Sequence, residues 1–142
     1  MTGAMIKMHR RLAWNETDAA GHNHFSAAFR WMEEAEHELL FQLGITESLI
    51  DRVPRVHIEI DYTARILFNE AVVVTVAVEK LGSASCTFAF SVEKADGTRA
   101  ASGKYITVHT SGTTEGSEPW PDDIREKLGA PVVIEVMQRS QM

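Results

Sequence analysis

The sequence predicts an α+β fold in which one long helix packs against a curved antiparallel sheet of about five strands. The first observation behind this prediction is a single stretch of helical periodicity at residues 25–43. The second is a run of four segments rich in β-branched and aromatic residues between residues 56 and 110, and the third is a weaker strand pattern at residues 5–14. One helix covers only part of such a sheet, so the exposed edges are expected to pair with further copies of the chain.

The predicted helix runs from Phe25 to Leu43 and has about five turns. Its apolar residues recur at three- and four-residue steps, while charged residues fill the opposite side. Gly44 follows the last apolar position, where a glycine readily ends a helix. The apolar side contains Phe25, Ala28, Phe29, Met32, Ala35, Leu39, Leu40 and Leu43. The side predicted to face solvent contains Arg30, Glu33, Glu34, Glu36, His37 and Glu38.

The other predicted strands follow the helix in one run. Apolar and polar residues alternate strictly in residues 56–62, which is the pattern of a strand with one buried face. Residues 71–81 are mostly β-branched, and residues 85–94 alternate again. The pair Asp96-Gly97 indicates a tight hairpin, so residues 99–110 are expected to return as the last strand. A loop at residues 110–121 and a short helix in the segment PDDIREKLG complete the predicted elements.

Length and composition narrow the class of protein. The chain is expected to form one domain, residues 1–142, of ordinary globular composition, 44% hydrophobic and 24% charged. A net charge of −6 without a basic stripe argues against a nucleic-acid-binding protein. No apolar run is long enough to cross a membrane, and the N-terminal segment lacks the apolar core of a secretory signal. The single Cys86 is expected to be a small buried strand residue, and its isolation suits a cytoplasmic location.

The segment ETDAAGHNHF, residues 16–25, leads directly into the predicted helix. A helix N-terminus carries unpaired N–H groups and a partial positive charge, which can polarise a carbonyl and stabilise an oxyanion. Asp18 lies about seven residues upstream of the predicted helix start and is a candidate nucleophile or general base. Gly21 allows a tight turn or a close approach to a ligand. The alternative is that Asp18 only caps a turn, which is the common role of aspartate in a loop.

His22 and His24 are further candidates in this loop, as direct participants or as hydrogen-bonded surface residues. Asn23 lies between them and is a candidate substrate contact. No cysteine or acidic cluster with zinc-like spacing accompanies the histidines, so a metal site is not expected. Phe29 and Met32 are core positions by default, and both are candidates to line an acyl pocket near the loop.

These segments together resemble the hotdog-fold thioesterases, in particular the 4-hydroxybenzoyl-CoA thioesterase-like branch. The resemblance begins with ETDAAGHNHF running into SAAFRWMEEAEHELL, which matches that branch's loop and helix. It continues through the strand segments HIEIDYTARILFNEAVVVTVAVEKLGSASCTFAFSV and DGTRAASGKYITVHT, and covers roughly residues 8–110. The loop motif is fairly specific, whereas the strand segments contribute through their order.

The resemblance implies an acyl-CoA thioesterase that uses no metal or redox cofactor. By position, Asp18 matches the family's catalytic carboxylate, the N–H of Phe25 matches its carbonyl-polarising group, and His22 matches a common histidine. Some members carry a tyrosine where this chain has Trp14, and a histidine at the position of Phe25. Other departures are Arg65 and Asn69-Glu70, which replace a proline and a Gly-Asp pair. In a second branch the catalytic carboxylate lies on the helix, which makes the helix glutamates lesser candidates.

The resemblance also implies an active site at a dimer interface, in a homodimer or a tetramer built from two dimers. The segment EKLGSAS, residues 79–85, corresponds to a connection that contacts coenzyme A in the resembling enzymes. Lys80, Ser83 and Ser85 are therefore candidate phosphate ligands, with an ordinary solvated hairpin as the alternative. Arg65 and Lys104 are weaker cationic candidates. Two other functions stay open: a hotdog hydratase or dehydratase of hydroxyacyl or enoyl thioesters, and a non-catalytic acyl-thioester-binding module.

Overall fold

The computed structural model describes residues 3–49, 51–111 and 116–138, which form six strands, three helices and a short 3-10 turn. Part of the predicted loop at residues 110–121 lies outside the described residues. In chain order the elements are β1 (Met5–Arg11), the 3-10 turn (Trp14–Glu16), α1 (Ala27–Gln42), α2 (Thr46–Leu49), β2 (Arg55–Tyr62), β3 (Ala71–Leu81), β4 (Ser85–Lys94), β5 (Arg99–Val108), α3 (Asp122–Gly129) and β6 (Val133–Met137).

The strands form one mixed sheet in the order β2-β5-β4-β3-β1-β6. Every neighbouring pair is antiparallel except β1 and β6, which run parallel with Met5 opposite Val133. The prediction of about five strands, all antiparallel, was therefore wrong in one respect: it lacked the sixth strand, β6, which runs parallel to its neighbour. β6 was missed because it is only five residues long and because its partner, β1, lies at the other end of the chain. The chain reaches this position through α3, which connects β5 to β6.

Helix α1 packs against one face of the sheet, where Ile6 and Met8 of β1 and Val74 and Val76 of β3 are buried. Its ends lie within two residues of the predicted bounds, and Gly44 has the left-handed φ of +75° expected of a helix-ending glycine. Among the described residues, no helix combines the length and the apolar character that crossing a membrane requires.

The predicted faces of α1 need three corrections. Phe25 is 62% exposed and precedes the helix, and Phe29 is 40% exposed, so the apolar side does not extend to the loop. Trp31, which the periodicity left unassigned, is buried in the core. Glu36 and Glu38, expected to face solvent, are also buried. Periodicity failed here because a carboxylate can enter the interior when a cationic or hydrogen-bonding partner meets it there.

Glu36 illustrates this exception. Only 2% of its surface is exposed, and its carboxylate accepts a 2.8 Å hydrogen bond from Nη2 of Arg55 on β2. Burial raises the pKa of Glu36, and the Arg55 guanidinium opposes that rise without cancelling it. The folded chain therefore holds the proton of this carboxyl more tightly than the unfolded chain does.

This difference predicts a pH dependence of stability. Because the folded-state pKa is raised, the free energy of unfolding should fall as the pH rises from the ordinary Glu value of 4.5 towards the raised one. Glu36→Gln cannot titrate, so its unfolding free energy should lack this fall. Urea unfolding of both proteins across that range is the measurement. Parallel pH profiles for the two proteins would contradict the prediction.

Candidate active site

Asp18 lies in a tight turn between β1 and α1. Its N–H donates to the carbonyl of His22 at 2.8 Å, and its carbonyl accepts the N–H of Gly21 at 3.1 Å. Its Oδ1 atom accepts the N–H of Ala20 at 2.9 Å. Gly21 has a φ of +85°, which a glycine adopts without strain. The turn therefore holds the Asp18 carboxylate in a defined orientation while leaving it partly exposed.

The surroundings of Asp18 keep it ionised. Partial desolvation raises the pKa of Asp18. The N–H groups of Ala20 and His22 and the nearby His22 and His24 rings together lower it by more, so the pKa lies below its usual value. The Nδ1 atom of His22 lies 3.4 Å from Oδ2 of Asp18. Asp18 is thus an anion at neutral pH, as both a nucleophile and a general base must be.

Among the described residues, the N–H of Phe25 is free in the loop that leads into α1. The N–H of His24 donates to the carbonyl of Glu16 at 2.8 Å, and the N–H of Ala27 donates to the carbonyl of His24 at 3.0 Å. The N–H of Ser26 donates to Nδ1 of His24 at 3.2 Å. Within the part of the chain that the structure describes, the N–H of Phe25 has no hydrogen-bond partner.

Asp18 and Phe25 line the same cleft, which has a volume of about 680 Å³. Its other lining residues are His22, Asn23, His24, Tyr62, Thr63, Ala64 and Arg65. The hydroxyl of Tyr62 donates a 2.6 Å hydrogen bond to the carbonyl of Phe25. Burial raises the pKa of Tyr62, so the phenol keeps the proton that it donates. The cleft thus combines an anionic carboxylate with a free N–H at a helix start.

Asn23 joins the two walls of this cleft. Its N–H donates to the carbonyl of Ile66 at 2.9 Å, and its side-chain Oδ1 accepts the N–H of Ile66 at 2.9 Å. His22 also forms an isolated bridge with Leu67. The side-chain oxygen of Asn23 holds the loop against the segment that follows β2, and its predicted contact with the substrate stays a prediction.

Two predicted substrate contacts lie outside the cleft lining. Met32 is buried in the core beneath α1. Phe29 is half-exposed and packs edge-on against Phe25, with ring centroids 6.4 Å apart. Phe29 therefore extends the exposed aromatic surface beside the cleft, whereas Met32 has the role of a core residue.

The structure does not bring Lys80, Ser83 and Ser85 near Asp18 within one chain. Tyr62 of β2 pairs with Ala101 of β5, which pairs with Val92 of β4. Val92 in turn pairs with Val74 of β3, so Val74 lies at the same level of the sheet as Tyr62. Lys80 lies six residues beyond Val74 on β3, so about 20 Å along the strand separates it from the level of the cleft. The β3–β4 connection is itself held by Trp120, which donates to the carbonyls of Ser83 and Ser85, both at 3.0 Å.

Among the described residues, no group of three or more His, Cys, Asp and Glu side chains is placed to hold a metal ion. Burial raises the pKa of Cys86, which fits its predicted role as a small buried residue.

Sequence reasoning missed two residues that shape the site. Tyr62 was assigned only to the apolar side of β2, since alternation says nothing about a hydroxyl reaching another segment. Glu16 belongs to the quoted motif but was given no role, because its partners become neighbours only in the folded chain.

Comparison with known proteins identifies the family. Residues 12–128 match the family model of the thioesterase-like superfamily, and the chain belongs to that superfamily. A 1,4-dihydroxy-2-naphthoyl-CoA hydrolase of Prochlorococcus marinus is 29% identical over 99 residues, which cover 61% of this chain and 66% of the relative. The match thus spans just under two thirds of that relative's length.

Solved structures share the fold. A gentisyl-coenzyme A thioesterase superposes with a TM-score of 0.75 at 28% identity, covering 86% of this chain and 98% of its own. A predicted thioesterase from Bacillus stearothermophilus gives a TM-score of 0.78 at 28% identity, covering 87% and 93%. A 4-hydroxybenzoyl-CoA thioesterase mutant in complex with 4-hydroxybenzoyl-CoA gives 0.77 at 15% identity, covering 87% and 98%. The resemblance to hotdog-fold thioesterases is confirmed.

Proposed function

We propose that this protein is an acyl-CoA thioesterase that hydrolyses a thioester to a free carboxylic acid and coenzyme A. The observation that carries the proposal is the cleft in which the ionised Asp18 and the free N–H of Phe25 meet at the start of α1. Relatives named as hydrolases or thioesterases of CoA esters support it. The proposal takes residues 1–142 as a single hotdog domain, with α1 as the central helix around which the sheet curves.

In the proposed mechanism the thioester carbonyl accepts a hydrogen bond from the N–H of Phe25. The partial positive charge of the helix start stabilises the oxyanion that forms there. As a nucleophile, Asp18 attacks the acyl carbon, the carbon–sulfur bond breaks, and water hydrolyses the mixed anhydride. As a general base, Asp18 takes a proton from water while the water oxygen attacks the same carbon. In both routes the coenzyme A thiolate leaves and is protonated to the free thiol.

The histidines support this chemistry in different ways. His22 faces Oδ2 of Asp18 at 3.4 Å and helps to orient the carboxylate. His24 lines the cleft and holds the N–H of Ser26. Their direct participation in proton transfer stays a prediction, as does a contact between the substrate and the Gly21 backbone.

We propose an aromatic acyl group as the preferred substrate. The exposed rings of Phe25 and Phe29 and the Tyr62 ring lie at or beside the cleft, where they offer flat apolar surface for an aryl ring. The relatives named above act on dihydroxynaphthoyl, gentisyl and 4-hydroxybenzoyl thioesters.

The proposal includes a homodimer formed through the free edge of β2. Val56, Ile58 and Tyr62 are exposed along this edge, which among the described strands has a partner only on its β5 side. Antiparallel pairing of two β2 edges about a twofold axis places the Arg55 end of one copy beside the Tyr62 end of the other. The second copy's Lys80, Ser83 and Ser85 then lie at the same end of the joined sheet as Asp18. A tetramer of two such dimers stays a prediction, and the single buried cysteine supports a cytoplasmic location.

A thiol-release assay tests the proposed function. Purified protein is mixed with benzoyl-CoA, hydroxybenzoyl-CoA and straight-chain acyl-CoA esters, and free thiol is followed with a thiol reagent. The proposal predicts catalytic thiol release, fastest with aryl esters. A hydratase or dehydratase would instead change enoyl absorbance without releasing thiol. A binding module would bind the esters and do neither.

The Lys80 contact is tested by Lys80→Ala. The KM for benzoyl-CoA should rise by no more than about fivefold, because an exposed charge contributes little, and added salt should reduce the effect. Benzoyl-pantetheine, which lacks the nucleotide phosphates, should show no change. Lys7→Ala on β1 is the control for net charge and should leave both KM values unchanged. Equal KM changes for the two substrates would exclude Lys80 as a phosphate ligand.

A further inference from the structure

A buried polar cluster lies directly beneath the Asp18 loop. Glu16 is only 5% exposed, and both of its carboxylate oxygens accept hydrogen bonds from Nη2 of Arg10 at 2.9 Å. Oε1 also accepts the N–H of Ala13 at 2.9 Å, and Oε2 accepts the indole N–H of Trp31 at 2.8 Å. The Arg10 guanidinium, itself buried, lies 4.8 Å from the centre of the Trp31 ring.

These bonds connect three separate parts of the fold through one carboxylate. Arg10 belongs to β1, Ala13 begins the 3-10 turn, and Trp31 lies in the second turn of α1. Glu16 therefore holds the strand, the loop and the helix at a fixed separation. A buried carboxylate that accepts four hydrogen bonds from three donor groups is rigid, because losing any of these donors leaves a buried polar group unpaired.

Glu16 is connected to both reacting groups of the cleft through the backbone. Its backbone carbonyl accepts the N–H of His24 at 2.8 Å, which orients the peptide immediately before Phe25. Along the chain, Asp18 follows Glu16 by two residues. The position of Glu16 thus determines where the turn that carries the Asp18 carboxylate begins. It also determines the direction of the backbone that carries the free N–H of Phe25.

We infer that Glu16 is a positioning residue for thioester hydrolysis, fixing the Asp18 carboxylate relative to the N–H of Phe25. The inference rests on the proposed function of this cleft. Glu16 itself does not line the cleft, so we expect it to make no contact with the substrate. Its effect is geometric, and small displacements of reacting groups have large effects on rate.

The test is Glu16→Gln. Glutamine keeps the size of the side chain but has one acceptor oxygen, so its NH₂ group must face the N–H of either Ala13 or Trp31. The kcat per folded molecule should fall by about tenfold to a hundredfold, because the two reacting groups lose their fixed separation. The KM should change by less than about twofold, since Glu16 lies outside the cleft.

Glu36→Gln is the matched control. Glu36 is also buried and also pairs with an arginine, but it belongs to the third turn of α1 and does not line the cleft. Its kcat per folded molecule should stay at the wild-type value, with the folded fraction of each variant measured by near-ultraviolet circular dichroism. Equal kcat values for Glu16→Gln and Glu36→Gln would overturn the inference.

Two further variants complete the test. If Glu16→Gln does not fold, Trp31→Phe removes a single donor to Glu16 while keeping an aromatic ring; an unchanged kcat per folded molecule would then overturn the inference. Asp18→Asn is assayed in parallel. Loss of activity in Asp18→Asn with full activity in Glu16→Gln would refute the role of Glu16 alone. Full activity in Asp18→Asn would refute the catalytic role of Asp18 and, with it, the role of Glu16. Failure of the wild-type protein to release thiol from any acyl-CoA ester would refute the proposed function itself.

Discussion

Asp18→Asn is expected to lower kcat by about a hundredfold or more, the usual effect of removing a positioned base, while the chain folds normally. Asparagine is nearly the same size, and its Oδ1 can still accept the N–H of Ala20 that shapes the turn. It can neither attack a thioester as a carboxylate nor accept a proton from water. The KM should change little. Thiol release from benzoyl-CoA under saturating conditions measures the effect.

Asp96→Asn is the matched control for this substitution. Asp96 also lies in a turn, its Oδ1 accepts the N–H of Thr98 at 2.9 Å, and this bond lowers the pKa of Asp96 below its usual value. It lies in the β4–β5 hairpin and does not line the cleft. Its kcat should equal that of the wild type. A fully active Asp18→Asn enzyme would contradict the proposed mechanism.

Arg10→Met is expected to have the largest effect on stability, about 3–5 kcal/mol in the free energy of unfolding. The side chains of Arg10 and Glu16 are 3% and 7% exposed, so removing the guanidinium leaves a carboxylate buried without its charge partner. Arg10 also donates to Oε2 of Glu34 at 2.6 Å. The measurement is urea unfolding, read as a lower midpoint at an unchanged slope.

Arg99→Met is the control for the loss of an arginine from an ion pair. The side chains of Arg99 and Glu93 are 58% and 44% exposed, so its loss should cost less than about 1 kcal/mol. Adding Glu16→Gln to Arg10→Met should recover part of the lost stability, because the unpaired charge is then removed. If Arg10→Met and Arg99→Met unfold at the same urea concentration, Arg10 does not stabilise Glu16 as described.

The Asp18 turn could be predicted from sequence because its determinants are local. The carboxylate, the glycine and the start of the helix lie within ten residues, and the hydrogen bonds that shape the turn join residues no more than four apart. The free N–H of Phe25 follows from the same segment. Helix α1 and the five strands β1–β5 could be predicted from hydrophobic periodicity within each segment. The burial of β2 was predicted wrongly: Val56, Ile58 and Tyr62 share the face that alternation assigns to the core, and all three are exposed, because the partner of a face cannot be read from one segment.

What could not be predicted depends on contacts between distant segments. Glu16 gains its role from Arg10 on a neighbouring strand and from Trp31 fifteen residues later. Glu36 is buried because Arg55 of β2 meets it, and a polar residue on a helix gives no sign of such a partner. Strand β6 exists through pairing with the opposite end of the chain. The separation of Lys80 from the cleft likewise appears only once the strand register is known.

The most direct test of the proposed chemistry is a single turnover of benzoyl-CoA by excess enzyme in ¹⁸O water. Free thiol is followed, and both the benzoic acid and the Asp18 peptide are then examined by mass spectrometry. The account predicts one thiol released per substrate, with one ¹⁸O atom either in the acid or in the Asp18 carboxylate. Label in Asp18 identifies a nucleophile whose anhydride is opened at the aspartyl carbonyl. Benzoyl-CoA that binds but releases no thiol would contradict the account.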